Sequence, residues 1–226
     1  MNYVDRPADL SSGSRVGGGS EPPVGGVIKR GFDIAGALGG LILLSPLLLM
    51  LAALVKASDG GRVLYGHRRI GRNGEEFRCL KFRTMVENGD AVLADYLARN
   101  PQLRSEWEAT RKLQEDPRVT RVGAVLRKLS LDELPQLFNI LGGQMSIVGP
   151  RPVVEEELEL YGAAADFYLA TRPGLTGLWQ VSGRNNVSYK ARVAFDRHYV
   201  ENWSFTFDLK IIARTVPAVL SSRGSY

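Results

Sequence analysis

The feature that most constrains this sequence is an uncharged, apolar stretch at residues 34–55. As one straight α-helix it would be about 33 Å long, which is enough to cross the hydrocarbon core of a bilayer. The simplest interpretation is therefore a plain transmembrane anchor.

Two further features argue against a simple span. Basic residues flank the segment on both sides, so both ends look cytoplasmic by the positive-inside tendency. These residues are Lys29 and Arg30 before it and Lys56, Arg62, Arg68 and Arg69 after it. Ser45 and Pro46 interrupt it near the middle, because proline removes a helical hydrogen bond while the serine hydroxyl can satisfy the freed carbonyl. Since kinked helices also span membranes, the pattern alone leaves spanning and re-entrant helices open.

Composition limits the remaining possibilities. The 226 residues suit one domain with appendages, and the net charge of +5 indicates an anionic partner: a phosphorylated substrate, acidic lipid or nucleic acid. A single cysteine, Cys79, excludes an intrachain disulfide and a cysteine metal cluster, and only His67 and His198 could serve as histidine ligands. Residues 1–26 are rich in Gly, Ser and Pro and lack the apolar region of a signal peptide. We predict a disordered tail there.

An acidic pair lies in the stretch Ser130-Leu131-Asp132-Glu133-Leu134-Pro135-Gln136-Leu137. Ser130 followed three residues later by Glu133 predicts a capping box at a helix N-terminus. That interpretation leaves Asp132 unexplained. A carboxylate in a first helical turn is held ionised by the helix dipole, which also attracts phosphate. Asp132 is therefore a candidate nucleophile for an aspartyl-phosphate intermediate, and Glu133 could hold a hard cation such as Mg²⁺.

Basic residues accompany this pair along the sequence. Arg127 and Lys128 lie shortly before it. In Gly149-Pro150-Arg151-Pro152 the two prolines fix the backbone, which predicts a rigidly presented guanidinium suited to phosphate. A surface turn with a solvated arginine is the alternative for this motif.

The rest of the chain predicts a mixed, mainly helical architecture. Asn73-Gly74 between two short apolar segments indicates a β-hairpin. Helices are predicted at residues 87–115 with a break at Asn100-Pro101, after the acidic pair until Gly142-Gly143, and at residues 188–202 and 205–220. A short strand is predicted at residues 145–148. The last helix is either an ordinary core helix or lies in the plane of a membrane interface.

Several separate blocks together resemble the bacterial sugar transferase family, the monotopic phosphoglycosyl transferases. The resemblance runs from about Ile28 to the C-terminus and is closest to the small ExoY-like members that initiate exopolysaccharide synthesis with galactose-1-phosphate. The blocks are Lys81-Phe82-Arg83-Thr84-Met85, residues 116–123, residues 130–137, Gly149-Pro150-Arg151-Pro152 and residues 172–185. The family more often has an acidic residue directly after Pro-Arg-Pro. Here Val153-Val154 follows, so that acidic role stays unassigned.

The resemblance implies a membrane-associated α+β enzyme with a re-entrant N-terminal helix, on the cytoplasmic face of the bacterial inner membrane. It implies transfer of hexose-1-phosphate from a UDP-sugar, UDP-galactose first and UDP-glucose next, to undecaprenyl phosphate. Asp132 would attack the β-phosphorus, and Glu133 would hold Mg²⁺. The implied substrate-binding residues are Lys81, Arg83, Arg127, Arg151, Arg172, Gln180 and Arg184. Of these, Lys81 and Arg83 would either bind phosphate or pair with acidic residues.

The same reading sets domain boundaries and partners. Residues 1–26 form the tail, 27–58 the re-entrant helix and 59–226 the cytoplasmic catalytic domain. Asp33 would lie at headgroup level and pair with Arg30. Membrane phospholipid is an expected partner, nucleic acid is not, and a second copy of the chain is left open.

The rival interpretation is a non-enzymatic membrane anchor whose basic face binds acidic lipid or nucleic acid. It explains the charge and the apolar segment but not an acidic pair beside Pro-Arg-Pro. Base stacking also requires aromatic residues among the basic ones, and only Tyr65, Phe77 and Phe82 offer that.

Overall fold

The computed structural model describes residues 23–110, 113, 115–183 and 187–220, and in this part of the chain the fold is mainly helical with two small sheets. This agrees with the predicted α+β class. The elements in chain order are α1 (Gly26–Leu43), α2 (Ser45–Asp59), β1 (Leu64–Ile70), β2 (Glu76–Phe82), α3 (Gly89–Arg99), α4 (Pro101–Thr110), α5 (Arg121–Lys128), α6 (Gln136–Leu141), β3 (Ser146–Val148), α7 (Glu155–Glu159), α8 (Ala165–Leu169), β4 (Gly174–Thr176), α9 (Leu178–Ser182), α10 (Tyr189–Glu201) and α11 (Phe205–Leu220).

The apolar segment forms two helices, α1 and α2, which meet at Leu44 with a bend of 65°. Pro46 stands in the first turn of α2, where a missing N–H removes no helical hydrogen bond. The Ser45 hydroxyl donates to the Ile42 carbonyl over 2.9 Å, as predicted. Among the described residues, neither helix alone is long and apolar enough to cross a bilayer, although the bent pair taken together passes the same length and hydropathy criteria.

Polar side chains fasten the start of α1 to the rest of the protein. Lys29 and Asp208 are both buried, and Lys29 Nζ lies 2.6 Å from Asp208 Oδ2 on α11. One turn further along α1, Asp33 Oδ1 accepts hydrogen bonds from the Ser146 hydroxyl (3.0 Å) and the Ile147 amide (2.9 Å) of β3. The first turns of α1 are therefore part of the folded body.

The predicted ion pair between Arg30 and Asp33 is wrong. Arg30 donates instead to the carbonyls of Ile140 (2.5 Å) and Leu141 (2.8 Å) at the end of α6. Carbonyls in the last turn of a helix lack the i+4 amide of the regular helical pattern, and a guanidinium there also interacts favourably with the helix dipole. Asp33 is only 1% exposed inside the protein, not placed at a surface as predicted.

The other face of the helix pair is apolar and exposed. Leu43 is 79% exposed and Leu49 72% exposed, and both lie close to the bend. Further exposed apolar side chains on the two helices are Val27, Ile28, Ile34, Leu38, Ile42, Met50 and Leu54. The opposite side of the pair packs on the core: Ala37 joins Leu137 and Ile140, whereas Leu51 and Val55 join Phe82 and Leu126.

The predicted hairpin is present. Strands β1 and β2 pair antiparallel, with Leu64 opposite Phe82 and Ile70 opposite Glu76. In the turn Asn73 and Gly74 both adopt positive φ angles, of 59° and 79°, which is the conformation that Asn-Gly favours. The strands extend further than the apolar segments that predicted them.

A second, parallel sheet joins β3 to β4, with Ser146 beside Gly174 and Val148 beside Thr176. A methyl group on Gly174 would lie 2.1 Å from the Gly149 amide nitrogen, so only glycine permits this close backbone approach. The Gly174 amide donates to the Pro150 carbonyl over 2.7 Å. The Pro-Arg-Pro turn is thereby fixed directly beside β4.

The remaining predicted helices are confirmed. A break between α3 and α4 falls at Asn100, and α6 ends at Gly142-Gly143, where Gly143 has a φ of 81°. Ser188 caps α10, and α10 and α11 bury Tyr199 and Ile211 against Val148. The predicted tail falls almost entirely on residues outside those described.

Candidate active site

A tight turn presents the acidic pair between α5 and α6. Ser130 adopts a left-handed conformation with φ of 55°, and Leu131–Glu133 follows as a single 3-10 turn. The predicted capping box is wrong: Ser130 makes no side-chain capping bond, and Glu133 is held by Lys81 instead. A serine at positive φ is sparsely populated and costs on the order of 1–3 kcal/mol, a kind of strain that clusters at functional sites.

Lys81 of β2 joins the two carboxylates. Its Nζ lies 2.6 Å from Glu133 Oε1 and 3.9 Å from Asp132 Oδ2. All three side chains are largely but not completely buried, so the interactions act in a medium of lower dielectric constant than water. Lys81 therefore pairs with acidic residues, which is one of the two roles predicted for it; the other is phosphate binding.

The two carboxyl groups have pKa values shifted in opposite directions. Burial raises the pKa of Asp132 above its ordinary value, although Lys81 and Arg127 oppose this shift. Burial also acts to raise the pKa of Glu133, but the nearby cations Lys81, Arg151 and Arg69 outweigh it and lower that pKa. The expectation that a helix dipole holds Asp132 ionised is wrong in direction, because a three-residue turn has little dipole and the site is buried.

A small, solvent-open cavity adjoins the acidic pair. Three cationic side chains line it, together with one carboxylate, two carboxamides and smaller groups. The lining residues are Arg69, Cys79, Lys81, Glu133, Gln136, Arg151, Pro152, Gly174, Leu175 and Gln180. Glu133 thus lines the cavity, whereas Asp132 is not among the lining residues and lies 3.9 Å from the Lys81 ammonium. The excess of positive charge suits an anionic ligand.

Not all predicted substrate-binding residues meet at this cavity. Lys81, Arg151 and Gln180 line it. Arg83 instead forms ion pairs with Asp59 and, at 3.5 Å, with Glu87. Arg127 donates from Nε to the Thr84 hydroxyl over 2.8 Å, and its positive charge acts to lower the pKa of Asp132.

Arg172 and Arg184 complete the predicted set. Arg172 donates from Nε to the Gly143 carbonyl over 2.7 Å, beyond the end of α6, and is not among the residues lining the cavity. Arg184 lies outside the described residues.

Among the charged and carboxamide residues that line the cavity, Arg69 and Gln136 were not predicted as site residues from the sequence. In the sequence, Arg69 stands out only as one of several basic residues after the apolar segment. Once Asn73-Gly74 fixes the hairpin turn, the register pairs Arg69 with Phe77, on the face that also carries Cys79 and Lys81. The alternation of side chains along the two strands could therefore have placed Arg69 on the same face as Lys81. Gln136 begins α6 and is buried, and no local pattern marks it.

The oxygen donors at the acidic pair fit magnesium as a partial ligand set. No cluster of three or more His, Cys, Asp or Glu side chains occurs within the described parts of the chain. Mg²⁺, however, is commonly bound by one or two carboxylates with substrate phosphates and waters completing its shell. Glu133 and Asp132 supply such carboxylates, and Glu133 opens onto the cavity.

Comparison with known proteins gives consistent matches. Residues 24–222 match the family described as Bacterial sugar transferase. The chain is 66% identical over 208 residues to the exopolysaccharide production protein ExoY of Sinorhizobium fredii, covering 92% of both chains. It is 53% identical over 199 residues to the undecaprenyl-phosphate galactose phosphotransferase of Salmonella typhimurium, covering 88% of this chain and 42% of that one. A UDP-glucose:undecaprenyl-phosphate glucose-1-phosphate transferase of Caulobacter vibrioides is 37% identical over 235 residues, covering 98% and 82%.

Proposed function

Because this chain belongs to the bacterial sugar transferase family, we propose that it moves hexose-1-phosphate from a UDP-sugar to undecaprenyl phosphate and releases UMP. The reaction would be the first membrane step of exopolysaccharide synthesis, which the similarity to ExoY proteins supports. UDP-galactose is the favoured donor and UDP-glucose the next. The general class of the enzyme is sugar-1-phosphate transferase.

One observation of the site carries this proposal: an acidic pair joined by Lys81, beside a cavity lined by Arg69, Lys81 and Arg151. A nucleoside diphosphate sugar brings a diphosphate whose negative charge the three cations would neutralise. Binding a diphosphate next to a carboxylate is the arrangement that nucleophilic attack on phosphorus requires.

The proposed reaction has two displacement steps at the same phosphorus. In the first, an Asp132 carboxylate oxygen forms a bond to the β-phosphorus, the bond to the bridging oxygen breaks, and UMP leaves. In the second, a phosphate oxygen of undecaprenyl phosphate attacks that phosphorus and the Asp132 oxygen leaves, which regenerates the carboxylate. The product is undecaprenyl diphosphate hexose. Two steps let a soluble and a lipid substrate use one site in turn.

The chain's own groups prepare the first step. Burial raises the pKa of Asp132, so its carboxylate is a more basic and less solvated nucleophile than an exposed aspartate. Lys81, 3.9 Å from Asp132, opposes the effect of burial on the Asp132 pKa and so favours the ionised form; it would also attract a negatively charged substrate. Glu133 would hold Mg²⁺, which when bound would supply charge stabilisation for the leaving UMP.

We also propose that the α1–α2 pair is re-entrant, entering one leaflet and returning. Both of its ends pack on the same folded body: Lys29 and Asp33 at the start, Leu51 and Val55 towards the end. A straight span would carry one of these ends to the opposite side of the bilayer. The exposed apolar side chains near the bend, such as Leu43, would contact lipid.

A panel of UDP-sugars tests the proposed function. Purified enzyme in detergent or nanodiscs is incubated with undecaprenyl phosphate and UDP-galactose, UDP-glucose or UDP-N-acetylglucosamine. UMP release and the lipid-linked sugar are both measured. We expect both products with UDP-galactose or UDP-glucose. When undecaprenyl phosphate is omitted, UMP release should stop after one turnover and no lipid-linked sugar should form. Absence of UMP with every donor would contradict the proposal.

A further inference from the structure

A backbone bridge fixes two cavity arginines relative to each other. Ile70, which follows Arg69 at the end of β1, forms an isolated antiparallel bridge with Val153, and the Ile70 amide donates to the Val153 carbonyl over 2.9 Å. Val153 stands two residues after Arg151. The bridge therefore ties the backbone that carries Arg69 to the backbone that carries Arg151.

The buried hydroxyl of Tyr168 reinforces this bridge. It donates to the Ile70 carbonyl over 2.6 Å and accepts from the Val153 amide over 3.2 Å. Tyr168 is 1% exposed, so one hydroxyl satisfies two backbone groups that would otherwise be buried without partners. Two neighbouring segments are thereby held in one arrangement before any ligand binds.

Neither guanidinium is neutralised in the way a structural arginine usually is. Arg69 Nη1 reaches Glu157 over 3.4 Å, a long contact to a half-exposed carboxylate. For Arg151, the described residues include no carboxylate within ion-pair distance, and its guanidinium lies 6.0 Å from the ring of Trp179. Glu133 is the one carboxylate that lines the same cavity, and it already pairs with Lys81 at 2.6 Å. Three cations thus face one carboxylate, and the remaining positive charge favours an anionic ligand.

We propose that Arg69 and Arg151 together bind the diphosphate of the UDP-sugar, with Tyr168 as the residue that positions the pair. This rests on the function proposed above and assigns direct binding of the diphosphate to these two arginines, of which Arg69 lies on the hairpin. The shared chemistry is a phosphate oxyanion, which the lipid acceptor also carries. The donor is favoured because the carboxamides of Gln136 and Gln180 line the same cavity and suit a polar nucleotide sugar rather than an isoprenoid chain.

The neighbouring Arg68 supplies a matched control. It lies on the opposite face of β1, its side chain is 78% exposed, and it approaches Glu76 only at 4.0 Å. R68Q and R69Q remove the same charge from adjacent positions of one strand. R69K keeps the charge but loses the planar fork that binds two phosphate oxygens.

The experiment measures the KM for UDP-galactose at saturating undecaprenyl phosphate, and the KM for undecaprenyl phosphate at saturating UDP-galactose. A lost charge-assisted contact corresponds to a change on the order of ten- to hundred-fold. We expect R69Q to raise the KM for UDP-galactose by that factor, R69K to lie between R69Q and wild type, and R68Q to stay within about two-fold, the size of ordinary surface substitutions. The KM for undecaprenyl phosphate should not change in R69Q.

Further readings separate this proposal from its alternatives. Thermal unfolding checks that R69Q folds, and R69K provides the kinetic comparison if it does not. If Arg69 serves only to form a structural ion pair with Glu157, E157Q should reproduce the R69Q defect, and that result would overturn the proposal. Equal KM values in R69Q and R68Q, or a shift confined to undecaprenyl phosphate, would also overturn it. Failure of wild type to release UMP would instead refute the proposed function, and this inference with it.

Discussion

Lys29→Met is expected to destabilise the protein strongly, because it leaves a buried carboxylate without its cation. Lys29 Nζ lies 2.6 Å from Asp208 Oδ2, and the two side chains are 5% and 0% exposed. At that distance and an effective dielectric constant of about 20, the gross attraction is roughly 6 kcal/mol. Most of this offsets desolvation of the two charges, yet removing one partner of a buried pair costs about 3–5 kcal/mol.

The other contacts of Asp208 place the expected loss at the lower end of that range. Tyr199 donates to Asp208 Oδ1 over 2.7 Å and Trp203 to Oδ2 over 3.1 Å. These hydrogen bonds continue to stabilise the carboxylate after Lys29 is removed. We therefore expect Lys29→Met to lower the free energy of unfolding by about 3 kcal/mol.

Denaturant unfolding of the protein in detergent micelles measures this loss. Lys56→Met is the control, because Lys56 is exposed and donates only to backbone carbonyls such as that of Gly60; a change within about 0.5 kcal/mol is expected there. Combining Lys29→Met with Asp208→Asn should recover part of the loss, since no buried charge remains. If Lys29→Met is as mild as Lys56→Met, or if the double variant shows the full sum of the single effects, the reasoning is refuted.

Three further predictions follow from the turns and the helix break. Arg151→Lys should reduce UDP-sugar turnover roughly ten- to hundred-fold at near-normal thermal stability, because lysine lacks the planar fork; near-normal kinetics would make Arg151 a surface turn residue. Ser130→Val should be about 2 kcal/mol less stable to denaturant than Ser130→Gly, since φ is 55°, and equal stabilities would argue against that conformation. Pro46→Leu should favour a straight span, which would carry residue 28 across the membrane. A cysteine introduced in place of Ile28 should then react with an impermeant maleimide in spheroplasts when Pro46→Leu is present, and should not react when Pro46 is kept. Reactivity with Pro46 kept would contradict re-entry.

Local patterns predicted much of the fold. Asn73-Gly74 predicts the hairpin turn because both residues tolerate the left-handed conformations that the turn requires. Gly142-Gly143 ends α6, Pro46 and Ser45 mark the bend, and the apolar spacing of α11 sufficed to place that helix. In each case the residues that determine the conformation lie within a few positions of one another.

Features that depend on distant residues were not predictable in this way. The parallel pairing of β3 with β4 joins three-residue strands that have no periodicity to detect. Asp33 binds β3 rather than Arg30, and Glu133 binds Lys81 rather than the Ser130 amide, because tertiary partners outcompete local ones. The raised pKa of Asp132 arises from burial, which a motif does not report.

Formation of the covalent intermediate on Asp132 is the central claim, and intact-protein mass measurement tests it most directly. The enzyme is mixed with UDP-galactose and Mg²⁺ in the absence of undecaprenyl phosphate and acid-quenched. We expect the wild-type mass to increase by one hexose phosphate and the mass of Asp132→Asn to stay unchanged. Adduct formation should decline towards low pH sooner than for an ordinary aspartate, because the pKa of Asp132 is raised and only its ionised form attacks. A hexose-phosphate adduct on Asp132→Asn would contradict the account.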